Sequence, residues 1–280
     1  FLPYTQALLG CFSHLPLTLV IDASGVGRGC AARVINLVYK KRALPLAVLV
    51  RKGNKGHFAQ ADHIALVEKV YALIPNRQDV TFLGDGEFDG TDLLDCLTSF
   101  GWQYVCRTAK NSQITQDEHT FALQSRTPSP GYFVHFENIL FTEKAYGPVQ
   151  AIVWWEKGYE DPLYLISNIP DPIQARHAYK KRFSVETFFS DQKSRSFHLQ
   201  KSHLSDPDRL ERLMIPACLA YIWIVYLGII TKESGDVCFI HRLKRCDLGL
   251  FQIGLRMLER CFNEDEPLPE DLYIWTFAPF

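Results

Sequence analysis

Between Leu213 and Ile230 the chain reads LMIPACLAYIWIVYLGII, eighteen residues without a charge. A run of that length belongs either in a membrane or at the centre of a large core, where a helix is apolar all round. Pro216 and Gly228 interrupt it, Tyr221 and Tyr226 carry polar tips, and the sequence holds no second run of the kind. The expectation is therefore a central helix of an α/β core, with Ile215, Leu219, Ile222 and Val225 buried and no membrane. The 280 residues suffice for such a core, and 47% hydrophobic with 22% charged residues is globular composition that excludes disorder. A formal net charge of -1 gives no chain-wide basic field, so a polyanion partner requires clustered cations.

Leu15 to Ile21 is a short apolar run rich in strand formers that closes on Asp22 and a glycine-containing turn. Strand-like runs at Arg33–Tyr39 and Leu44–Val50 flank Lys40-Lys41-Arg42 and predict a hairpin with a basic turn. Residues 59 to 74 show helical periodicity and end at Pro75. Asp79 to Gly84 reads as a strand leading into Asp85, and Asp89 or Thr91 is placed to cap a helix running to Phe100. Trp102 to Arg107 reads as a further strand, completing the order β-β-β-α-β-α-β. Residues 110 to 161 are polar and broken by Pro128, Pro130, Gly131 and Gly147, with strand-like pieces at Tyr132–Phe136 and Val149–Trp155; they read as a β-rich insertion. After a strand at 162–168, Pro170 and Pro172 introduce a helix from about Ile173 to Arg195, and a second long helix spans roughly Pro207 to Ile230. The predicted organisation is thus residues 1–109 as the first part of a core, 110–161 as the insertion, 162–232 as the second part of the core, and 233–280 as an extension.

Asp22 and Asp85 each end an apolar strand, the position where open α/β sheets build their sites. Two carboxylates there can bind a hard divalent cation; each equally suits a turn. Glu87 and Asp89 follow Asp85 closely and are either further ligands or capping and surface groups. On the helix at 173–195, Tyr179, Arg182, Glu186 and Lys193 stand at offsets of 3, 7 and 14 residues from the first. At about 100° per residue they share a stripe about 60° wide. That stripe is either a face for a metal and phosphates or a solvated face closed by the i,i+4 pair Arg182–Glu186.

The spacing Tyr179-x2-Arg182-x3-Glu186-x6-Lys193 resembles the YREK signature of DDE transposases from bacterial insertion sequences. Val20-Ile-Asp22, Leu83-Gly-Asp85-Gly-Glu-Phe-Asp-Gly and the long insertion before Glu186 resemble that family too, over about residues 15 to 232. The resemblance implies an α/β, ribonuclease-H-like mixed sheet flanked by helices, with a β-rich insertion before the last catalytic helix. It implies that Asp22, Asp85 and Glu186 hold two Mg2+ ions, with Mn2+ able to substitute, for phosphodiester hydrolysis and strand transfer in cut-and-paste transposition. Arg182 and Lys193 are then phosphate contacts, and Tyr179 a hydroxyl donor to a phosphate. Tyr164 or Trp155 is implied to stack on a base turned out of the duplex; core packing is the other role open to each. The implied partners are double-stranded DNA, as terminal inverted repeats and as target, and a second copy of the chain in a synaptic homodimer.

From Arg176 to Lys201 there are seven basic residues against two acidic ones, a local positive field inside a near-neutral chain. Lys180 and Lys181 also fit a solvated face. A second basic group is Arg51, Lys52 and Lys55, with His57 beside it. The eight cysteines show neither CxxC pairs nor zinc spacing, which predicts reduced thiols in a cytoplasm; the resemblance implies that this cytoplasm is bacterial and the protein nucleoid-associated. No signal peptide is seen, and a start at Phe1 places the natural beginning upstream. Only 21 residues precede Asp22, whereas the family carries an end-recognising region there. The competing readings are a related metal-dependent nuclease, an inactive transposase remnant, and a membrane or interaction protein built on the 213–230 run.

Overall fold

The computed structural model describes residues 2–53, 56, 58–74, 79–195, 197–241 and 246–268, with Ser194 and Arg195 as backbone only. Lys55, His57, Pro75 and the tail beyond Leu268 lie outside the described residues. A helix α1 (Leu2–Gly10) precedes three strands, β1 (Leu17–Val26), β2 (Cys30–Tyr39) and β3 (Arg42–Lys52). Then follow α2 (Gln60–Tyr71), β4 (Val80–Gly84), α3 (Thr91–Ser99) and β5 (Gln103–Arg107). Residues 110–161 supply β6 (Gln113–Gln116), β7 (His119–Ala122), β8 (Phe133–Phe141) and β9 (Tyr146–Trp154), and β10 (Leu163–Ser167) returns to the core. The helices α4 (Pro172–Lys180), α5 (Ser184–Ser190), α6 (Pro207–Glu233), α7 (Val237–Ile240) and α8 (Leu250–Glu264) complete the chain.

All ten strands form one sheet in the order β3-β2-β1-β4-β5-β10-β9-β8-β6-β7. The first three strands are an antiparallel meander; β4 lies parallel to β1, and β5 parallel to β4. This is a ribonuclease-H-like mixed sheet, and the β-rich segment extends it from β10 outward. The three strands of the meander carry near-continuous apolar runs because both of their faces are covered, as their burial shows.

The eighteen-residue uncharged run is the middle of α6, which packs against β3 and α8. Among the described residues it is the one helix long and apolar enough to cross a membrane, and 61% of its most apolar window is buried inside the domain. Ile222 and Val225 are fully buried, but Ile215 and Leu219 are half-exposed, because they lie off the face by which Leu210, Met214 and Cys218 enter the core. Asp206 caps α6 by accepting from the Arg209 amide, with Pro207 in the first turn. At the far end of the helix Gly228 faces Gly254 of α8. A Cβ on Gly228 would overlap the Leu250 carbonyl, and one on Gly254 the Ile224 carbonyl.

Several local expectations are corrected. β1 does not stop at Asp22; it stays paired to β2 through Val26–Cys30, and the glycines at 27 and 29 make the turn. Neither Asp89 nor Thr91 caps α3. The cap residue is Gly90, and the Leu93 amide is satisfied by Gln60 Oε1 from α2 at 3.3 Å. The Gln60 amide packs directly on Gly90, so any side chain there would have to push it aside. Arg42 is not part of an exposed turn. It lies buried in β3 and pairs with the fully buried Asp191 at 2.9 Å. Some of the basic charge after Arg176 also serves packing: Arg176 stacks on Phe133 and Trp154, and Lys180 pairs with Glu156, so α4 is clamped to β8 and β9. All eight cysteines are free.

Candidate active site

The helical segment expected over 173–195 is not uniform. α4 passes through a 3-10 turn (Lys181–Phe183) into α5 and ends in a π-helical turn (Asp191–Arg195). A tighter and then a looser turn shift the angular phase, so the four residues do not share one exposure. Tyr179 is buried at 1% exposure, Arg182 is buried, Glu186 is exposed and Lys193 is half-buried.

The guanidinium of Arg182 joins two of the three carboxylates. Its Nη1 lies 3.7 Å from Asp22 Oδ2, and its Nη2 lies 3.2 Å from Glu186 Oε1. Asp22 is 5% exposed, and its Oδ1 accepts from the Ala23 amide at 2.7 Å. The β1–β4 ladder runs Leu17–Val80 to Val20–Leu83, and two further steps of that register bring Asp22 level with Asp85. Neighbouring strands lie about 4.8 Å apart, so these two backbones carry their carboxylates side by side where the ladder opens. Among the described residues, no three His, Cys, Asp or Glu side chains are close enough, as placed, to hold a metal ion. The donor set nonetheless suits a hard cation: all three groups offer oxygen only, and a cationic side chain already stands between two of them.

Asp85 is held from behind. Its Oδ1 accepts from the Glu87 amide at 3.0 Å. Glu87 does not point outward as a rival ligand; its carboxylate is buried against Arg33, itself 0% exposed, with His63 Nε2 3.6 Å away. Phe58 covers the Arg33 guanidinium. Burial alone would raise the Glu87 pKa, but the hydrogen bonds and charges of His63 and Arg33 outweigh it and hold the carboxyl at about 2. Asp89 is half-buried; burial raises its pKa despite a hydrogen bond from Thr108. The depressed Glu87 pKa means the pair stabilises the fold above the ordinary carboxylate value of 4.5, and that contribution is lost as the pH falls toward about 2. Glu87→Gln should therefore cost about 3 kcal/mol at pH 7, since it strands a buried guanidinium. Thermal melts of the two proteins should draw together as the pH falls from about 4.5 toward about 2; a constant gap would remove the ion pair from the account.

Beside Asp85 opens a cavity of about 650 Å³ whose lining includes Arg107, Lys110, Thr127, Trp155 and Tyr164. Tyr164 is buried in β10, and its hydroxyl lies 2.8 Å from Thr127 Oγ1; Trp155 is half-exposed and donates from Nε1 to the Tyr159 carbonyl at 2.9 Å. Both aromatics thus pack and line the cavity at once. Burial pushes the Tyr179 phenol up to about 12, against the opposing pull of Arg182 and Arg107. Arg33, Arg107 and Lys110 escape a reading by motif. Arg33 leaves one trace, a lone charge inside an apolar strand, and Arg107 ends β5 as Asp85 follows β4.

A ribonuclease-H-like sheet with three acidic residues at one end defines a class of nucleic-acid-processing domains. The sequence matches the transposase DDE domain family over residues 16–223, and the chain belongs to that family. No curated protein matches it. Among solved structures, the piggyBac transposase synaptic complex with hairpin DNA is similar at 12% identity and a TM-score of 0.45, over 93% of this chain and 50% of that one. Human ENDOV is similar at 14% identity and a TM-score of 0.34, over 69% of this chain and 95% of that one. The chain thus spans half the length of the piggyBac transposase chain.

Proposed function

We propose that this domain cleaves DNA at the ends of a mobile element and transfers the freed strand to a target, with Asp22, Asp85 and Glu186 as the catalytic carboxylates. The observation that carries this reading is the arrangement around Arg182: two acidic residues 164 positions apart in the sequence meet one guanidinium, and the strand register brings the third alongside. The family generally depends on divalent metal ions. Asp22, Asp85 and Glu186 would hold Mg2+, two ions in this reading, with Mn2+ as a substitute; bound there, the metal lowers the pKa of a hydroxyl nucleophile and stabilises the leaving oxygen.

The chain's own groups then divide the work. Arg182 neutralises Asp22 and Glu186 in the free protein, and its planar fork suits a phosphate once those carboxylates are neutralised otherwise. Lys193 adds a point charge on the same helical segment. Tyr179, almost wholly buried, supports the Arg182 guanidinium with its ring, whose centre is 5.7 Å away. The cavity lined by Trp155 and Tyr164 has room and aromatic faces for a base turned out of the duplex beside Asp85, with Arg107 and Lys110 near its phosphate. The substrates in this reading are the element's terminal inverted repeats and target DNA, handled by a homodimer in the bacterial cytoplasm.

The direct test is incubation of the protein with a duplex carrying the element's own end, with and without Mg2+. Metal-dependent nicking at the end supports the reading; specific binding without cleavage in Mg2+ would overturn it. Trp155→Ala should slow the strand step by about tenfold, from the loss of about 1–3 kcal/mol of base stacking. An abasic nucleotide at the cleavage site should erase the difference between the two proteins, and a slowing that persists on that substrate would assign Trp155 to packing alone.

A further inference from the structure

A second groove, separate from the Trp155 cavity, encloses about 720 Å³ where β1 begins. Its lining includes Lys40, Lys41, Lys181, Phe183, Ser184 and Thr187. The two turn lysines come from β2–β3, and Lys181 is the residue before Arg182. Lys41 and Lys181 are exposed and have no acidic partner among the described residues, while Lys40 has a distant one in Glu233 at 3.7 Å. Lys180 reaches the same groove, but its ammonium is engaged by Glu156.

Two features separate this groove from an ordinary solvated basic patch. First, Lys40 and Lys41 both sit at positive φ, 41° and 65°, in a two-residue hairpin turn. Asn-Gly fills such a turn with the least strain. The chain instead holds two long cations there, against their backbone preference, and aims both at one groove. Second, Ser184 lines the groove, is buried at 8% residue exposure, and its hydroxyl has no hydrogen-bond partner among the described residues. A buried hydroxyl without a partner is costly unless a ligand supplies one.

Lysines at the rim, Ser184 in the wall and an apolar floor of Val38 and Phe183 match a phosphodiester: the charge meets the ammonium groups, an oxygen meets Ser184 once its hydroxyl rotates outward, and sugar edges meet the floor. The groove also lies close to the carboxylates. Thr18 on its wall is four residues before Asp22 on the same strand, roughly 13 Å at 3.3 Å per residue. That is about four nucleotide steps along one strand at 3.4 Å per step. We propose that this groove grips the backbone of the duplex about four nucleotides from the bond to be cut, which sets the depth to which DNA seats at the proposed site. The position along the DNA rests on the catalytic reading above; the grip itself does not.

The test is binding of a labelled 30-base-pair duplex to the full chain in EDTA, where cleavage plays no part, across a salt series. Lys41→Gln combined with Lys181→Gln should flatten the slope of log K against log salt by about 1.8, from about 0.9 per phosphate contact. Lys69→Gln with Lys144→Gln, a pair on other surfaces, should leave the slope alone. An unchanged slope in the groove variant overturns the proposal. So does a variant that loses binding to a poly-glutamate peptide but keeps the duplex, which would make the occupant an acidic protein. Ser184→Ala should weaken duplex binding with an unchanged or higher Tm; unchanged affinity would remove the hydroxyl from the site. The two readings fail separately. Metal-dependent nicking with an unaltered slope sinks the groove alone, and an altered slope without nicking sinks the catalytic assignment alone.

Discussion

Glu186→Gln is expected to abolish strand cleavage, by at least about a thousandfold, while leaving the protein folded and able to bind DNA. The substitution keeps the size of the side chain and removes only the charge. Glu186 is the most exposed of the three carboxylates, with a side chain 57% open to solvent, so its pair with Arg182 contributes little to stability. In the proposed site its value would lie in negative charge beside a bound metal, where several kcal/mol of transition-state stabilisation are at stake and each 1.36 kcal/mol is a factor of ten. Asp22→Asn should be as inactive. It should also unsettle Arg182, because Asp22 is buried and the guanidinium would keep only Glu186 as a partner. Nicking assays alongside circular dichroism decide the matter. Cleavage by Glu186→Gln at the wild-type rate would remove that residue from the site. A loss of both folding and activity in Glu186→Gln would contradict the exposure of its side chain.

The second large effect concerns stability. An alanine at an open helical glycine stabilises by about 1 kcal/mol, because glycine loses more backbone freedom on folding. Gly254→Ala should do the reverse. Its Cβ would overlap the Ile224 carbonyl of α6 and crowd the Gly228 amide, so the two helices must part along their whole contact. The expected loss is about 4 kcal/mol, which for a chain of this size lowers Tm by on the order of 10 °C. Gly228→Ala should be equally damaging from the other side. Gly10→Ala at the end of α1, where nothing lies within 4 Å, is the control that should be neutral or mildly stabilising. A Tm within 2 °C of wild type for Gly254→Ala would mean that α8 does not lie on α6 at this distance.

What the sequence displays best is whatever is encoded by short-range pattern. The strands around Asp22 and Asp85, the hairpin at Lys40-Lys41, and the proline-led starts of α4 and α6 all follow from apolar runs and capping chemistry. The 213–230 run, ambiguous by length, is resolved by β3 and α8, which bury it from two sides. Features that depend on partners distant in sequence stay hidden. Nothing near Gly90 says that Gln60 will cap α3, and nothing near Arg42 says that Asp191 will neutralise it. The stripe through Tyr179, Arg182, Glu186 and Lys193 assumed a single helical pitch. The 3-10 turn breaks that pitch between Tyr179, which turns inward, and Glu186, which stays in solvent, and the π turn shifts Lys193 again. Arg182 shows the same limit: its charge is legible, but its position between Asp22 and Glu186 depends on β1 lying beneath the helix.

The path of the chain around β5 and β10 bears on how a fold of this kind can change over time. Arg107, the last residue of β5, is paired with Leu165 near the start of β10, so the polypeptide leaves the core and re-enters it at neighbouring points. Everything between is a detour that adds strands outward from one side of β10 without disturbing the order of β1 to β5. A lineage can therefore lengthen, shorten or exchange that detour while the acidic residues keep their places. The constraint falls on its two anchors: β9, which covers the edge of β10 that would otherwise stand unpaired, and the Arg176 contacts that hold α4 against β8 and β9.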